Sequence, residues 1–172
     1  IIIKAKQGQL VEAFRKAFPS EIGDSSITIM TDGNLQRITY SNKLLFSSGG
    51  VYLTDPYYIN HSARIFKDLG HGVFKRIQVE GFTDSDKINP QNEELKARGI
   101  RDNWDLSTVR AVEVVHRLQH DFRMDPKLLS ATGYSWYQSH SNQSEQDKAR
   151  NRKIEIVLVY SLSDVPEVFW EK

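Results

Sequence analysis

The sequence predicts an α/β fold in which strand and helix signals alternate along one domain. Apolar residues recur at helical spacing in several segments, and short runs rich in β-branched and aromatic residues separate those segments. The chain has 172 residues, of which 39% are hydrophobic, and a chain of this size buries a substantial core as one unit. No internal repeat or low-complexity linker divides it. We therefore expect a single globular domain with short flanking segments.

The first predicted elements are an amphipathic helix and a β-hairpin. Apolar side chains follow helical spacing over residues 7–18, and Pro19 ends that pattern. Residues 27–40 contain two runs rich in β-branched and aromatic side chains, with Gly33 in the turn between them. We expect residues 1–26 to form an N-terminal linker helix region and the hairpin to open the domain.

A helix and a strand are predicted in the middle of the chain. Residues 57–69 repeat apolar side chains at helical spacing, and Gly70 closes the pattern. Residues 76–81 alternate apolar and polar side chains, as a strand with one buried face does. This strand places Asp84 just beyond its carboxyl end.

The segment from residue 85 to residue 105 is the least regular part of the chain, and we interpret it as an inserted excursion. Pro90 opens a short helix within it, and Gly99 ends that helix. A longer helix follows, with Ser107 as its N-cap or first-turn residue and apolar residues at helical spacing as far as Phe122.

Three short elements complete the predicted domain. Residues 128–132 form a strand, residues 145–150 form a polar helical turn, and residues 154–160 alternate as the last strand. The domain is thus expected to span residues 27–160, with residues 161–172 as a C-terminal tail.

Charge and composition exclude several classes of function. The chain has 23 basic and 22 acidic residues, so no strong net field attracts an anionic polymer and nucleic acid is not expected as a partner. The absence of cysteine removes disulfide and thiol chemistry. No apolar run approaches the roughly 20 residues that span a bilayer. The first residue is not methionine, and we expect an upstream anchor or signal in a longer protein.

The sequence contains no recognisable catalytic or metal-binding motif. It lacks a Gly-x-Ser-x-Gly nucleophile elbow and a phosphate-binding Gly-x-x-x-x-Gly-Lys loop. His116 and His120 have the spacing of a zinc pair on one helix face, but no His-Glu-x-x-His arrangement surrounds them and no third ligand stands out. A solvated or partly buried pair of histidines is favoured over a zinc site. We expect neither an enzyme nor a bound cofactor.

Two opposite charges lie in well-defined sequence blocks. Asp84 ends Gly-Phe-Thr-Asp, and Arg110 lies in Leu-Ser-Thr-Val-Arg-Ala; a further arginine, Arg152, precedes the last strand. If folding brings these blocks together, a carboxylate and a guanidinium line one pocket. Such a pocket suits a ligand with both an ammonium and a carboxylate, because the acid pairs with the first and the arginine fork with the second. An ordinary ion pair between strand and helix is the alternative.

These blocks resemble a known domain family. Residues 77–159 resemble the OmpA-like (OmpA/MotB C-terminal) peptidoglycan-binding domain, on several motifs in the family's order: Gly-x-Thr-Asp, Asn-x-x-Leu-Ser-x-x-Arg-Ala, a Gly-aromatic turn and Asn-Arg-x-x-Glu-Ile. An upstream Phe-x-x-Gly motif at Phe46 agrees with this. The run that begins Asn-Trp-Asp-Leu-Ser at Asn103 resembles the MotB-like stator branch more than the outer-membrane porin branch.

The resemblance implies a fold and a set of ligand-binding residues. The fold is an α+β sandwich, a mixed β-sheet packed against helices. In the family, the acid and the arginine of these motifs hold the diaminopimelate residue of the peptidoglycan stem peptide, and they match Asp84 and Arg110. The other positions that match the family site are Thr83, Asn103, Leu106, Ser107 and Arg152.

The resemblance also implies a cellular role. We expect non-covalent peptidoglycan binding by a periplasmic domain that anchors a membrane complex to the cell wall. The MotB-like branch implies the fixed subunit of an ion-driven stator, of flagellar or phage-defence type, acting as a homodimer with an integral-membrane partner and held in the inner membrane by an upstream segment. The alternative is a periplasmic scaffold or protein-interaction domain that has lost wall binding.

The sequence departs from the family pattern at two places. Phe82 stands where the family usually has histidine, so a polar contact is lost, although the aromatic face can still pack against a sugar or a stem peptide. The separation between Asp84 and Asn103 is also longer than usual, because the excursion is inserted there. We expect this insertion either to cover the pocket or to reach a partner.

Overall fold

Five strands form one mixed β-sheet in the computed structural model, which describes residues 2–139 and 141–161. The strands are β1 (Ile27–Asp32), β2 (Leu35–Ser41), β3 (Phe74–Phe82), β4 (Leu129–Gly133) and β5 (Lys153–Tyr160). Their order across the sheet is β1-β2-β5-β3-β4. All neighbours are antiparallel except β3 and β4, which are parallel. The predicted α/β fold with a mixed sheet is confirmed.

Seven α-helices connect and cover the strands in the described part of the chain. They are α1 (Ile2–Ala17), α2 (Pro19–Gly23), α3 (Asn42–Leu45), α4 (Tyr57–Asp68), α5 (Glu93–Ala97), α6 (Asn103–His116) and α7 (Glu145–Asn151). Helix α6 continues into a π-helical turn, Arg117–Asp121, and a 3-10 turn, Pro126–Leu128, leads into β4. Among these helices, none has the length and apolar character needed to cross a bilayer.

The last strand of the chain lies at the centre of the sheet. Ile156 of β5 is paired with Ile38 of β2 on one side and Val79 of β3 on the other, and all three side chains are fully buried. This row faces a core to which α1, α4 and α6 contribute apolar residues. Burial of so many aliphatic side chains, at about 25 cal/mol for each Å² removed from water, holds the helices on the sheet.

The N-terminal helix belongs to the same core as the sheet. Leu10, Phe14 and Phe18 are fully buried there, and the side-chain amide of Gln7 donates to the carbonyl oxygen of Gly33 in the hairpin turn (2.9 Å). The boundary between a linker region and a domain at residue 26 stays a prediction.

The predicted C-terminal tail, residues 161–172, is described only at its first residue. The backbone N–H of Ser161 donates to the carbonyl oxygen of Val73 at 2.8 Å, which extends the pairing beyond β5. The rest of the tail lies outside the described residues.

The excursion after β3 has a small hydrophobic cluster of its own. Leu95 of α5 and Ile100 pack with Val51 and with Leu106 of α6. The short helix in the excursion is confirmed, but it begins at Glu93, well after Pro90, where the Oδ1 of Asn92 accepts a hydrogen bond from the backbone N–H of Leu95. The excursion is therefore packed against α6.

The start of α6 differs from the prediction. The helix begins at Asn103, and its N-cap is Asp102, whose Oδ1 accepts a hydrogen bond from the backbone N–H of Asp105 at 3.0 Å. The prediction that Ser107 opens the helix is wrong, since this residue lies one turn inside and is fully buried. The true cap lies earlier because the excursion ends in an aspartate that caps a helix as well as serine does.

Candidate functional site

The carboxyl end of β3 is pressed against α6, and this contact positions the predicted acid. A Cβ atom on Gly81 would lie 2.1 Å from the carbonyl oxygen of Ser107, so only glycine allows the strand to approach the helix so closely. The next residues turn away from the sheet: the backbone N–H of Thr83 donates to the carbonyl oxygen of Ser135 at 2.8 Å. Asp84 follows, with only 7% of its surface exposed.

Arg110 lies two turns into α6 and is almost fully buried. Its Nε donates to the carbonyl oxygen of Gly50 at 2.8 Å, and the guanidinium carbon lies 5.4 Å from the ring centroid of Phe46. No described residue accepts a hydrogen bond from its two terminal guanidinium nitrogens. Burial lowers the pKa of Arg110 to about 10, against the opposing effect of the Asp84 charge, so the group remains a cation at neutral pH.

Asp84 forms its ion pair with Arg152. An Nη1–Oδ2 distance of 2.5 Å joins the two side chains, and the other carboxylate oxygen accepts a hydrogen bond from the backbone N–H of Asp86 at 2.9 Å. Among the described residues, no ion pair joins Asp84 to Arg110. The structure therefore does not contain the alternative, an ordinary ion pair between Asp84 and Arg110.

Asp84 and Arg110 both line one cavity of about 700 Å³. The predicted ligand-binding residues that line it are Thr83, Asp84, Asn103, Leu106, Arg110 and Arg152. Ser107 lies outside the lining: its hydroxyl donates to the carbonyl oxygen of Trp104 (3.2 Å) and accepts from the backbone N–H of Ser135 (3.1 Å). Folding thus brings the three sequence blocks together, while the ligand-binding role of each residue stays a prediction.

Comparison with known proteins identifies the family. Residues 45–153 match the family model described as the OmpA family. This chain belongs to the OmpA family. Motility protein B of Bacillus subtilis (strain 168) is 30% identical over 86 residues, which are 49% of this chain and 30% of that protein. The chain therefore matches less than a third of the length of this curated relative.

Solved structures of MotB-like domains have a fold similar to that of this OmpA-family chain. A MotB-like protein from Desulfovibrio vulgaris has a TM-score of 0.76 at 23% identity, covering 96% of this chain and 97% of that one. The cell wall anchor of the T6SS from Pseudomonas aeruginosa has a TM-score of 0.70 at 21% identity, covering 86% of this chain and 97% of that one. At these identities the likeness shows the fold. The predicted OmpA-like family is confirmed, while the assignment to its MotB-like branch stays a prediction.

The excursion of this OmpA-family domain forms one wall of the cavity. Residues 86–89 line it together with Asn92 and Leu95. The wall is held in place by an ion pair between Asp86 and Lys148 of α7 (2.9 Å) and by the Asn103 side-chain amide, which donates to the carbonyl oxygen of Asp86 (2.9 Å). The insertion therefore lines the cavity, while both expected outcomes, that it covers the pocket or reaches a partner, stay predictions.

Sequence reasoning missed the residues that α3 contributes. Asn42 lines the cavity with 6% of its surface exposed, and its Oδ1 has no hydrogen-bond partner among the described residues. Lys43 lines the same side. No motif or spacing marks these positions, because α3 reaches the site only through the pairing of β2 with β5. The Phe46 motif alone hinted that this segment belongs to the site.

Phe82 is engaged by neighbours on the sheet and does not line the cavity. Its ring stacks on Tyr134 with centroids 5.1 Å apart and planes at 17°, and the Nζ of Lys153 lies 4.7 Å from the ring centroid. The substitution of histidine by phenylalanine in the family motif is thus accommodated by packing.

Proposed function

We propose that this domain binds peptidoglycan non-covalently, through the diaminopimelate residue of the stem peptide, and so anchors a membrane complex to the cell wall. One observation carries the proposal. The guanidinium of the buried Arg110 has terminal N–H groups that donate to no acceptor among the described residues, and it shares a cavity with the carboxylate of Asp84. A ligand with a carboxylate and an ammonium on one carbon satisfies both groups.

A buried charge that contacts no counter-charge raises the free energy of the folded state. Arg110 is 3% exposed and donates one hydrogen bond to the protein, so burial has removed much of its hydration, while its terminal nitrogens still reach the cavity. A ligand carboxylate supplies two parallel acceptors for the guanidinium fork. The ligand ammonium then approaches Asp84, where it shares the carboxylate with Arg152. Thr83, Asn103 and the other lining residues complete the site.

We further propose that the longer protein is the fixed subunit of an ion-driven stator, of flagellar or phage-defence type. The domain then lies in the periplasm, acts as a homodimer, and is held in the inner membrane beside an integral-membrane partner. Support comes from the confirmed family and from relatives named as a motility protein and as a cell wall anchor. Such a role requires binding and no chemical step, so no enzyme activity is proposed.

Co-sedimentation with purified sacculi tests the binding proposal. We expect the wild-type domain to pellet with sacculi of diaminopimelate type and to bind poorly to sacculi whose stem peptide carries lysine, which has the ammonium but lacks the second carboxylate. Asp84→Ala and Arg110→Ala should each reduce pelleting at least tenfold. Glu12→Ala and Arg15→Ala are matched controls, because they remove an exposed acid–arginine pair on α1 and should pellet normally.

Two results would count against the proposal. Pelleting that survives both cavity variants would show that another surface holds the wall. No pelleting by the wild type, whether monomer or dimer, would favour the scaffold alternative, in which the cavity is a relic and the excursion contacts a protein.

A further inference from the structure

Three aromatic side chains form a stack on the surface beside the cavity. The ring of Tyr137 lies between Trp104 and Trp136, with centroids 5.3 Å and 4.5 Å away and planes tilted by 26° and 28°. Trp104 is 50% exposed and Tyr137 is 57% exposed. Exposed aromatic side chains of this kind are enriched at binding surfaces. We refer to Trp104, Trp136 and Tyr137 as the aromatic stack.

The aromatic stack is joined to the cavity wall on both of its sides. Trp104 directly follows Asn103, which lines the cavity and donates to the carbonyl oxygens of Asp84 and Asp86. On the other side, Ser135 precedes Trp136 and accepts the backbone hydrogen bond of Thr83. The backbone that carries the stack therefore adjoins residues of the proposed ligand site on both sides.

The turn that carries the stack is held in an unusual conformation. Ser135 has a φ of 56°, in the left-handed region that a residue with a side chain seldom adopts, and it is 1% exposed. Its backbone N–H donates to the Ser107 hydroxyl and its carbonyl oxygen accepts from Thr83, so α6 and the β3 end impose the strain. Strain that the surroundings enforce is common where a side chain must be presented precisely.

We propose that the aromatic stack binds a sugar ring of the glycan strand while the cavity holds the stem peptide attached to that strand. A pyranose ring offers an apolar face of C–H groups, which packs on the negative face of an aromatic ring, and a hydroxyl rim that stays in water. A glycan strand and its stem peptide are covalently joined, so a site for one brings the other into contact with the neighbouring surface. The inference rests on the proposed function and assigns the second half of the same ligand.

The length of the stem peptide agrees with this placement. Each residue of an extended peptide spans at most about 3.6 Å, so a stem peptide held by its third residue keeps the sugar within roughly 10–15 Å of the cavity. Trp104 directly follows Asn103, which lines the cavity, so their Cα atoms lie about 3.8 Å apart and the stack begins within that reach.

Binding of separated ligand parts tests the assignment. The probes are peptide-free glycan strands, the free diaminopimelate stem peptide and intact sacculi. We expect Trp104→Ala and Tyr137→Ala to weaken binding of glycan strands and sacculi by roughly three- to tenfold, the size of one aromatic contact, and to leave stem-peptide binding unchanged. Trp104→Phe should retain most of the wild-type affinity. Tyr57→Ala, at a 46% exposed tyrosine on α4, is the matched control and should bind all three probes normally.

The outcomes separate this inference from the proposed function. Unchanged stem-peptide binding also shows that the variants are folded, so a selective loss of glycan binding supports a sugar site at the stack. A wild type that binds the stem peptide but not glycan strands, or variants that bind sacculi as well as the wild type does, would overturn the sugar assignment and leave the cavity proposal intact. Wild-type protein that binds glycan strands but not the stem peptide would overturn the cavity proposal instead.

Discussion

Arg152 is the ion-pair partner of Asp84, with 2.5 Å between Nη1 and Oδ2, although Arg110 faces the same cavity. The two arginines therefore differ in their hydrogen-bond partners. Arg152 is anchored to the acid, whereas Arg110 keeps its terminal guanidinium nitrogens without a protein acceptor in the described residues. Of the two arginines, Arg110 is consequently the one whose terminal N–H groups are open to an anionic ligand.

A double-mutant cycle should reveal coupling between Asp84 and Arg152. The Asp84 side chain is 10% exposed and that of Arg152 is 39% exposed, so solvent screens the pair in part. We expect Asp84→Ala and Arg152→Ala each to lower the free energy of unfolding by about 1–2 kcal/mol, with a coupling energy of about 1 kcal/mol between them. Urea unfolding of the two single variants and the double variant measures this. Strictly additive losses would show that the contact contributes no net stability.

Replacement of Arg110 by methionine should separate stability from binding. Removal of a poorly compensated buried charge in favour of an apolar chain of similar length should change the free energy of unfolding by less than about 1 kcal/mol, or raise it. Binding of the stem peptide should be abolished, because methionine cannot hold a carboxylate. Chemical denaturation and calorimetric titration measure the two effects. A loss of more than about 2 kcal/mol would assign the guanidinium a structural role instead.

Ligand affinity should be insensitive to pH across the neutral range. Burial lowers the pKa of Arg110 only to about 10. The guanidinium is therefore largely charged up to pH 9 and loses its charge as the pH rises through about 10. We therefore expect level affinity from pH 6 to 9 and a decline as the pH approaches 10, where the ligand ammonium also loses its proton. Titrations across this range measure it. A midpoint between pH 6 and 7 would point to a histidine in the site.

Substitution of Gly81 should damage the fold at the site. The Cβ of alanine would lie 2.1 Å from the Ser107 carbonyl oxygen, a backbone atom that cannot move aside cheaply. We expect Gly81→Ala to lower the free energy of unfolding by about 2–4 kcal/mol. Gly8→Ala is the matched control: no atom lies within 4 Å of its added Cβ in α1, so the helix should gain about 0.5–1 kcal/mol. Similar effects at both positions would contradict the close contact.

Asn42 should contribute to binding more than to stability. Its Oδ1 is buried without a partner in the described residues, so little is lost when the side chain is removed. We expect Asn42→Ala to change the free energy of unfolding by less than about 1 kcal/mol and to weaken stem-peptide binding by roughly threefold or more, as one hydrogen bond to the ligand disappears. Unchanged affinity would show that Asn42 lines the cavity without contributing to binding.

Much of the fold could be predicted from residue patterns because apolar periodicity reports local burial. The alternation over residues 76–81 and 154–160 corresponds to β3 and β5, and Gly70, with a φ of 114°, follows α4 as predicted. The sequence also placed Asp84 and Arg110 in blocks whose order matches a known family. Local chemistry sufficed for these inferences, since each depends on residues that are neighbours along the chain.

Other features depend on long-range contacts that no local pattern encodes. The last strand lies at the centre of the sheet, and only this placement brings Arg152 to Asp84 across 68 positions of sequence. The same strand arrangement carries Asn42 to the cavity, whereas the close approach of Gly81 in β3 to α6 encloses Ser107. The sequence therefore determined which charged residues are present. The tertiary structure decided that Arg152 pairs with Asp84 and that the terminal nitrogens of Arg110 have no acceptor among the described residues, because strand order and packing select side-chain partners.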